Sequence, residues 1–325
     1  MSSTPSPLKS KQSGVTIRSL REQDLPSADR IMRLAFGTFL GMPDPLKFMG
    51  DADYARTRWL ADPSAVFAAE CEGELVGTNF ATRWGSVGFF GPLTIHPDWW
   101  DRGIAQRLLA PTMNLFDRWG VRHAGLFTFP ASAKHIGLYQ KFGFWPRFLT
   151  ALMEVPIVEK RTCLPWTGFG QVSLEQKQSC LRACRELTSS IYDGLDVERE
   201  IRAVDEQRLG DTVLLWTADK LAGFAVCHVG AGTEAGSGKC YAKFGAVRSG
   251  PKARVEFRRL LEACCEFAAA RGASKLEAGV NLARLDAYRE MLRLGFRTGR
   301  QGVVMERNAE PGYNRPEVFL MDDWR

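Results

Sequence analysis

One stretch of this chain combines small residues, a turn and a helix start in the way that phosphate binding requires. In residues 89–109, FFGPLTIHPDWWDRGIAQRLL, an apolar strand pattern ends in a turn and opens at Gly103 into a helical pattern. The first amides of a helix lack intrahelical acceptors and lie at the positive end of its dipole, so a pyrophosphate is held there without any particular side chain. Gly103 and Ala105 are small enough to let phosphates reach those amides, while Ile104, Leu108 and Leu109 turn an apolar face to a core. The same strand–turn–helix order also occurs in α/β proteins that bind nothing there.

The surrounding elements sharpen this reading. Pro92 has no N–H and follows Gly91, a pair that does not suit a regular central strand and belongs at a bulge or where two strands part. Parted strands make a cleft, and amides freed at Leu93 and Ile95 would line it. Further along come a strand-like segment at 124–129, a helical one at 131–141 and then Phe142-Gly143-Phe144.

With these two blocks in order, the chain resembles the GCN5-related N-acetyltransferase (GNAT) superfamily. The first block corresponds to its acetyl-CoA loop, [Arg/Gln]-x-x-Gly-x-[Gly/Ala], with Gly103 and Ala105 in place. The second corresponds to its Leu-Tyr-x-x-x-Gly-Phe block, here Leu138, Tyr139, Gly143 and Phe144. Upstream, AECEGELVG at 69–77 is similar to the family's Ala-Glu-x-x-Gly-x-x-Val-Gly hairpin, so the resemblance spans residues 15–157.

The resemblance implies acetyl-CoA as co-substrate, with no metal, and direct attack of an amine on the thioester. It assigns cofactor contacts to Leu93, Thr94, Ile95, Asp101, Arg102, Gly103, Ile104, Ala105, Gln106 and Ser132, and catalysis to Tyr139 as proton donor to the departing thiolate. The family's Arg or Gln falls at Trp100, leaving Arg102 or Gln106 to take over that contact, and its Asn falls at Ser132, which offers a single hydroxyl. No general base stands out. Glu70 precedes a hairpin turn, His96 starts a turn before Pro97, and His135 lies one helical turn before Tyr139. Asp44 and Asp51 fall in the segment 37–53, which in this family lines the acceptor site, and they are candidates for holding a cationic amine. Phe36, Phe39, Met42, Phe48 and Met49 in or beside that segment suit an apolar acceptor, or ordinary core packing.

Composition sets outer bounds. A length of 325 residues with 45% hydrophobic content suggests two domains. The net charge of +6 is spread along the chain and gives no case for a nucleic-acid partner. No apolar run is long enough to cross a membrane. Residues 1–14 read as a disordered leader with no apolar core of a signal peptide. Eight cysteines without a CxxC pair point to reduced thiols and a cytoplasmic location.

The second half repeats the first. Strand patterns at 213–216, 221–229, 239–247 and 274–280 and helical patterns at 253–271 and 285–294 follow the same order, and Gly223 and Gly295 echo Gly77 and Gly143 at offsets of 146 and 152 residues. The expected architecture is therefore α/β (α+β): two tandem GNAT-like domains, each a mixed, mostly antiparallel sheet with splayed central strands flanked by helices. The first occupies 15–158, a linker 159–170, the second 171–308 and a tail 309–325. The second copy reads as degenerate: Pro251 removes an amide from its turn, no Gly/Ala pair matches Gly103 and Ala105, and Met291 stands where the first has Tyr139. The functional expectation is an acetyl-CoA-dependent N-acetyltransferase acting on a small-molecule or protein amine, with a homodimer left open. The alternative from a different class is a non-catalytic acyl-CoA-binding regulatory protein.

Overall fold

The computed structural model describes residues 14–158, 164–218 and 220–325. Apart from Gly14 the expected leader lies outside the described residues, as does the first part, 159–163, of the expected linker. The chain runs β1 (Val15–Ser19), α1 (Leu25–Phe39), α2 (Ala55–Ala61), β2 (Val66–Cys71), β3 (Glu74–Trp84), β4 (Val87–Ile95), α3 (Ile104–Arg118), β5 (His123–Thr128), α4 (Ala133–Gln140) and β6 (Phe144–Pro156). It then repeats that order as β7 (Trp166–Gly168), α5 (Leu174–Ile191), α6 (Glu198–Gln207), β8 (Gly210–Thr217), β9 (Lys220–Gly230), β10 (Gly236–Val247), α7 (Ala253–Ala270), β11 (Lys275–Asn281), α8 (Leu285–Arg293) and β12 (Arg297–Arg307). A short β13 (Leu320–Asp322) follows.

The repeat extends to atomic packing. A Cβ on Gly77 would meet Ile95, the carbonyl of Thr94 and Leu108, and one on Gly223 would meet Val247, the carbonyl of Ala246 and Leu260. The contacted residues are counterparts 152 residues apart, while the two glycines are 146 apart. In both copies a glycine lets the third strand lie against the fourth beneath the following helix.

Each copy has the expected mixed sheet. Among the described residues only β4–β5 and β10–β11 run parallel. One feature goes beyond the sequence reading: the last strand of each copy is exchanged. The sheet order is β1-β2-β3-β4-β5-β12-β6-β11-β10-β9-β8-β7, so β12 lies beside β5, and β6 lies between β12 and β11. The copies share one continuous sheet about a pseudo-twofold axis between β6 and β12, and a division at 158 and 171 does not separate two closed units. The described part of the expected linker is also structured. Residues 166–168 form the edge strand β7, held by the Trp166 indole donating to Glu266 at 2.9 Å.

Between the copies lies an apolar core in which Trp84, Val87 and Phe89 pack against α5, α6 and the inner strands of the second copy. The Trp84 ring meets Phe89 at 4.7 Å and Phe244 at 5.2 Å, both edge-on. Among the described residues no helix is long and apolar enough to cross a membrane.

Candidate active site

The site begins where β4 and β5 part. Their parallel pairing runs from Val87 opposite His123 to Phe90 opposite Leu126 and stops there. Gly91, at φ +148°, and Pro92 follow at once, and the register of β4 against β3 shifts in the same place, between Asn79 and Ala81. Pro92 therefore stands at the bulge and the parting that its chemistry required. The corner is pinned from outside: the buried Arg58 guanidinium donates to the Gly91 carbonyl at 2.6 Å and to both oxygens of Glu234, at 3.0 and 2.8 Å. Glu234 comes from the second copy and also accepts from Lys243 at 2.8 Å. Its carboxyl is buried, yet these two cations hold it well below the usual carboxylate range.

Below the parting is a cavity of about 700 Å³. Leu93, Thr94, Ile95, Asp101, Arg102, Gly103, Ile104, Ala105 and Gln106 all line it, as does Tyr139. Gly103, at φ +71°, caps α3 with no side chain over the first turn, and nothing lies within 4 Å of where its Cβ would be. Asp101 is also left-handed, at φ +64°. Left-handed residues spaced in this way are the backbone setting in which a nest of successive amides forms, the kind of concavity that takes an anion. Around the loop the Arg102 guanidinium stacks on Trp99 at 4.6 Å, and Lys134 pairs with Asp101 at 2.6 Å.

Tyr139 is buried on α4, against Phe90 with ring centroids 5.7 Å apart, with its hydroxyl beside Thr128 at the end of β5. Burial drives its pKa upward, so the phenol stays protonated throughout the neutral range. His135 also lines the cavity, packed on Phe39 at 4.9 Å, and burial together with Lys134 lowers its pKa.

Other residues singled out in the sequence lie elsewhere. Ser132 caps α4, its hydroxyl accepting from the His135 amide at 3.3 Å, and it does not line the cavity. Asp44 caps a short turn of its own segment. Asp51 accepts from the Ser237 amide at 2.8 Å and from the Ser237 hydroxyl, tying its loop to the second copy. Neither aspartate faces the first cavity. Glu70 accepts from Arg18 at 2.7 Å, and His96 caps the turn at Asp98.

The sequence reading missed the wall supplied by the far end of the chain: Arg300, Gln301, Trp324 and Arg325. Trp324 stacks on Phe89 at 5.7 Å and fills the space above Gly125, and Arg325 is held by Asp323 and Glu277. The only signal was the apolar run at 318–321, which marks a segment that docks without saying where.

The second copy has the same parting, and it is filled. Its parallel pairing ends at Ala242 opposite Ala278, the counterparts of Phe90 and Leu126. Beyond it β13 pairs with Phe244, Gly245 and Ala246, the counterparts of Pro92, Leu93 and Thr94. A Cβ on Gly245 would strike Met321, and one on Gly279 would strike Asp323. The nest is gone as well, because α7 starts at Ala253, the counterpart of Asp101, so its first turn replaces the loop.

Residues 30–144 match the sequence model of the Acetyltransferase (GNAT) family, whose members are acetyltransferases, so the chain carries a domain of that family. Over nearly its whole length it also shares a fold with solved two-copy-sized proteins. A Pyrococcus horikoshii protein of proposed acetyltransferase activity is 16% identical, with 94% of each chain covered and a TM-score of 0.67. A GCN5-related N-acetyltransferase from Sphaerobacter thermophilus is 16% identical, with 92% of this chain and 96% of that one covered and a TM-score of 0.61. A search of curated protein sequences gives no match.

Proposed function

We propose that the protein transfers the acetyl group of acetyl-CoA to an amine, using the first copy alone. The observation that carries this reading is the convergence, in one cavity, of the nest at Asp101–Gly103, the unpaired edge of β4 and a protonated Tyr139. The amides of α3's first turn would hold the pyrophosphate and those of Leu93 and Ile95 the pantetheine arm. β13 supports that second assignment, since in the other copy an extended chain already takes the corresponding slot by strand pairing. As the amine nitrogen bonds to the thioester carbon, the Leu93 amide would stabilise the oxyanion, a contact typically worth about 3 kcal/mol. As the carbon–sulfur bond breaks, the Tyr139 hydroxyl would pass its proton to the thiolate, and the proton shed by the attacking nitrogen would return through water to the phenolate. The test is free-thiol release from acetyl-CoA across a panel of amines. Amine-dependent release supports the reading. Binding of acetyl-CoA with no release from any amine would favour the regulatory alternative.

A further inference from the structure

A second cavity, of about 910 Å³, adjoins the first and shares Leu40, Phe48, Met49, Leu152, Arg300 and Arg325 with it. Both copies build it: Gly236, Ser237, Lys239, Lys275 and Glu277 come from the second. The first cavity is apolar on this side, with Met32, Phe36 and Phe39 continuing the shared wall, whereas the second is rich in charge. Nearly every charge there is already matched. Lys275 pairs with Glu154 at 2.6 Å, Lys239 with Glu277 at 3.2 Å, and Arg325 with Glu277 and Asp323. Asp51 is satisfied by Ser237.

Arg300 is the exception. It is exposed, lines both cavities and has no hydrogen-bond or ion-pair partner among the described residues. The register of β12 against β6 shifts beside it, between Thr298 and Arg300, a bulge that re-aims side chains. Arg300 thus places a spare positive charge at the junction of an apolar arm and a polar one.

Resting on the transferase reading above, we propose that the second cavity is the outer arm of the acceptor site, and that Arg300 anchors a carboxylate carried by the acceptor amine. A single guanidinium matches a carboxylate bidentately, whereas a phosphate monoester would leave its second charge unpaired. The strand register sets the spacing. Thr128, beside Tyr139, lies opposite Val303, and Arg300 is three residues farther along β12, so the backbone positions of Val303 and Arg300 are roughly 10 Å apart. An acceptor that keeps its amine and carboxylate apart suits that backbone spacing better than an α-amino acid, whose two groups share one carbon. The acceptor class is an amine separated from its carboxylate by an apolar segment.

The experiment measures calorimetric binding and acetylation of para-(aminomethyl)benzoate and of straight-chain ω-amino carboxylates, each beside its neutral amide, with wild type, Arg300→Gln and Arg300→Lys. The expected result is a preference for carboxylate over amide of about tenfold or more, as for hydrogen bonds to charged groups. Arg300→Gln abolishes it and Arg300→Lys partly restores it, while acetyl-CoA affinity is unchanged. No carboxylate bound more tightly than its amide, or a preference that survives Arg300→Gln, overturns the proposal. Amine-dependent thiol release without that preference would overturn the anchor and leave the transferase reading standing.

Discussion

Tyr139→Phe separates chemistry from packing at the centre of the site. The substitution removes one oxygen from a residue whose ring is enclosed by Phe90 and neighbouring side chains, so the aromatic contacts survive. What is lost from the fold is the polar contact of the hydroxyl with Thr128, about 1 kcal/mol of stability or less. What is lost from the reaction, if the hydroxyl is the proton donor, is a general acid, worth about a hundredfold or more in turnover. In free energy that is about 3 kcal/mol on the barrier, well above the stability loss. Because burial raises the phenol's pKa, its proton stays in place across neutral pH, and Tyr139 should add no basic limb to the wild-type pH–rate profile below about pH 9. The assay is single-turnover thiol release beside acetyl-CoA titration calorimetry and a melting curve. A drop in turnover of at least a hundredfold with unchanged affinity is expected. Thr128→Val, which leaves the phenol but removes its partner, should give a smaller loss. A folded Tyr139→Phe enzyme within about threefold of wild type would refute the proton-donor role.

Gly103→Glu places a carboxylate among the amides of α3 and forces a side chain into a left-handed position, so acetyl-CoA affinity should fall by tenfold or more in calorimetry. Titration of the full chain should give one acetyl-CoA per molecule, because β13 takes the slot in the second copy; two equivalents would contradict this. A chain ending at residue 158 keeps every residue of the first copy but loses β12, leaving β5 and β6 with bare edges, so it should be insoluble and inactive. Glu306 is buried beside the neutral His123, and burial raises its pKa to about 7. A carboxyl with a raised folded pKa favours the fold while protonated and loses that advantage as pH climbs from the unfolded value toward 7. Glu306→Gln should therefore melt higher than wild type at pH 8, by up to about 3 kcal/mol, with the difference gone near pH 4.

Local patterns in the sequence predicted local structure well. Strand and turn patterns placed β4, β5, β8, β9, β10 and β11, and the helical periods at 253–271 and 285–294 became α7 and α8. Gly91-Pro92 marked the parting of β4 because a missing N–H is a local property, and Gly103 marked the loop because a left-handed residue is one too. Ser132 went the other way: a hydroxyl before a helix serves its own backbone first, and its cap left no role in the cavity. The strand exchange was not legible, since β6 reads alike whether its neighbour is β5 or β12 and nothing in alternation names a partner. Arg300, Trp324 and Arg325 were hidden for the same reason, as they reach the cavity only through that exchange and the docking of the tail.

The exchange also bears on how the molecule comes off the ribosome. β5 is complete at Thr128, but its neighbour across the sheet, Val303, is made 175 residues later, so the first copy cannot close its sheet during its own synthesis. Such distant pairing is slow, because the chain between the partners must be ordered before the contact repays it. Until then the nascent first copy exposes an unprotected strand edge beside its cofactor cleft, a state open to mispairing with a neighbouring chain. Arrest of translation before β12 emerges should yield a species that depends on holdase chaperones, and catalytic competence should arrive all at once when β12 takes its place in the sheet.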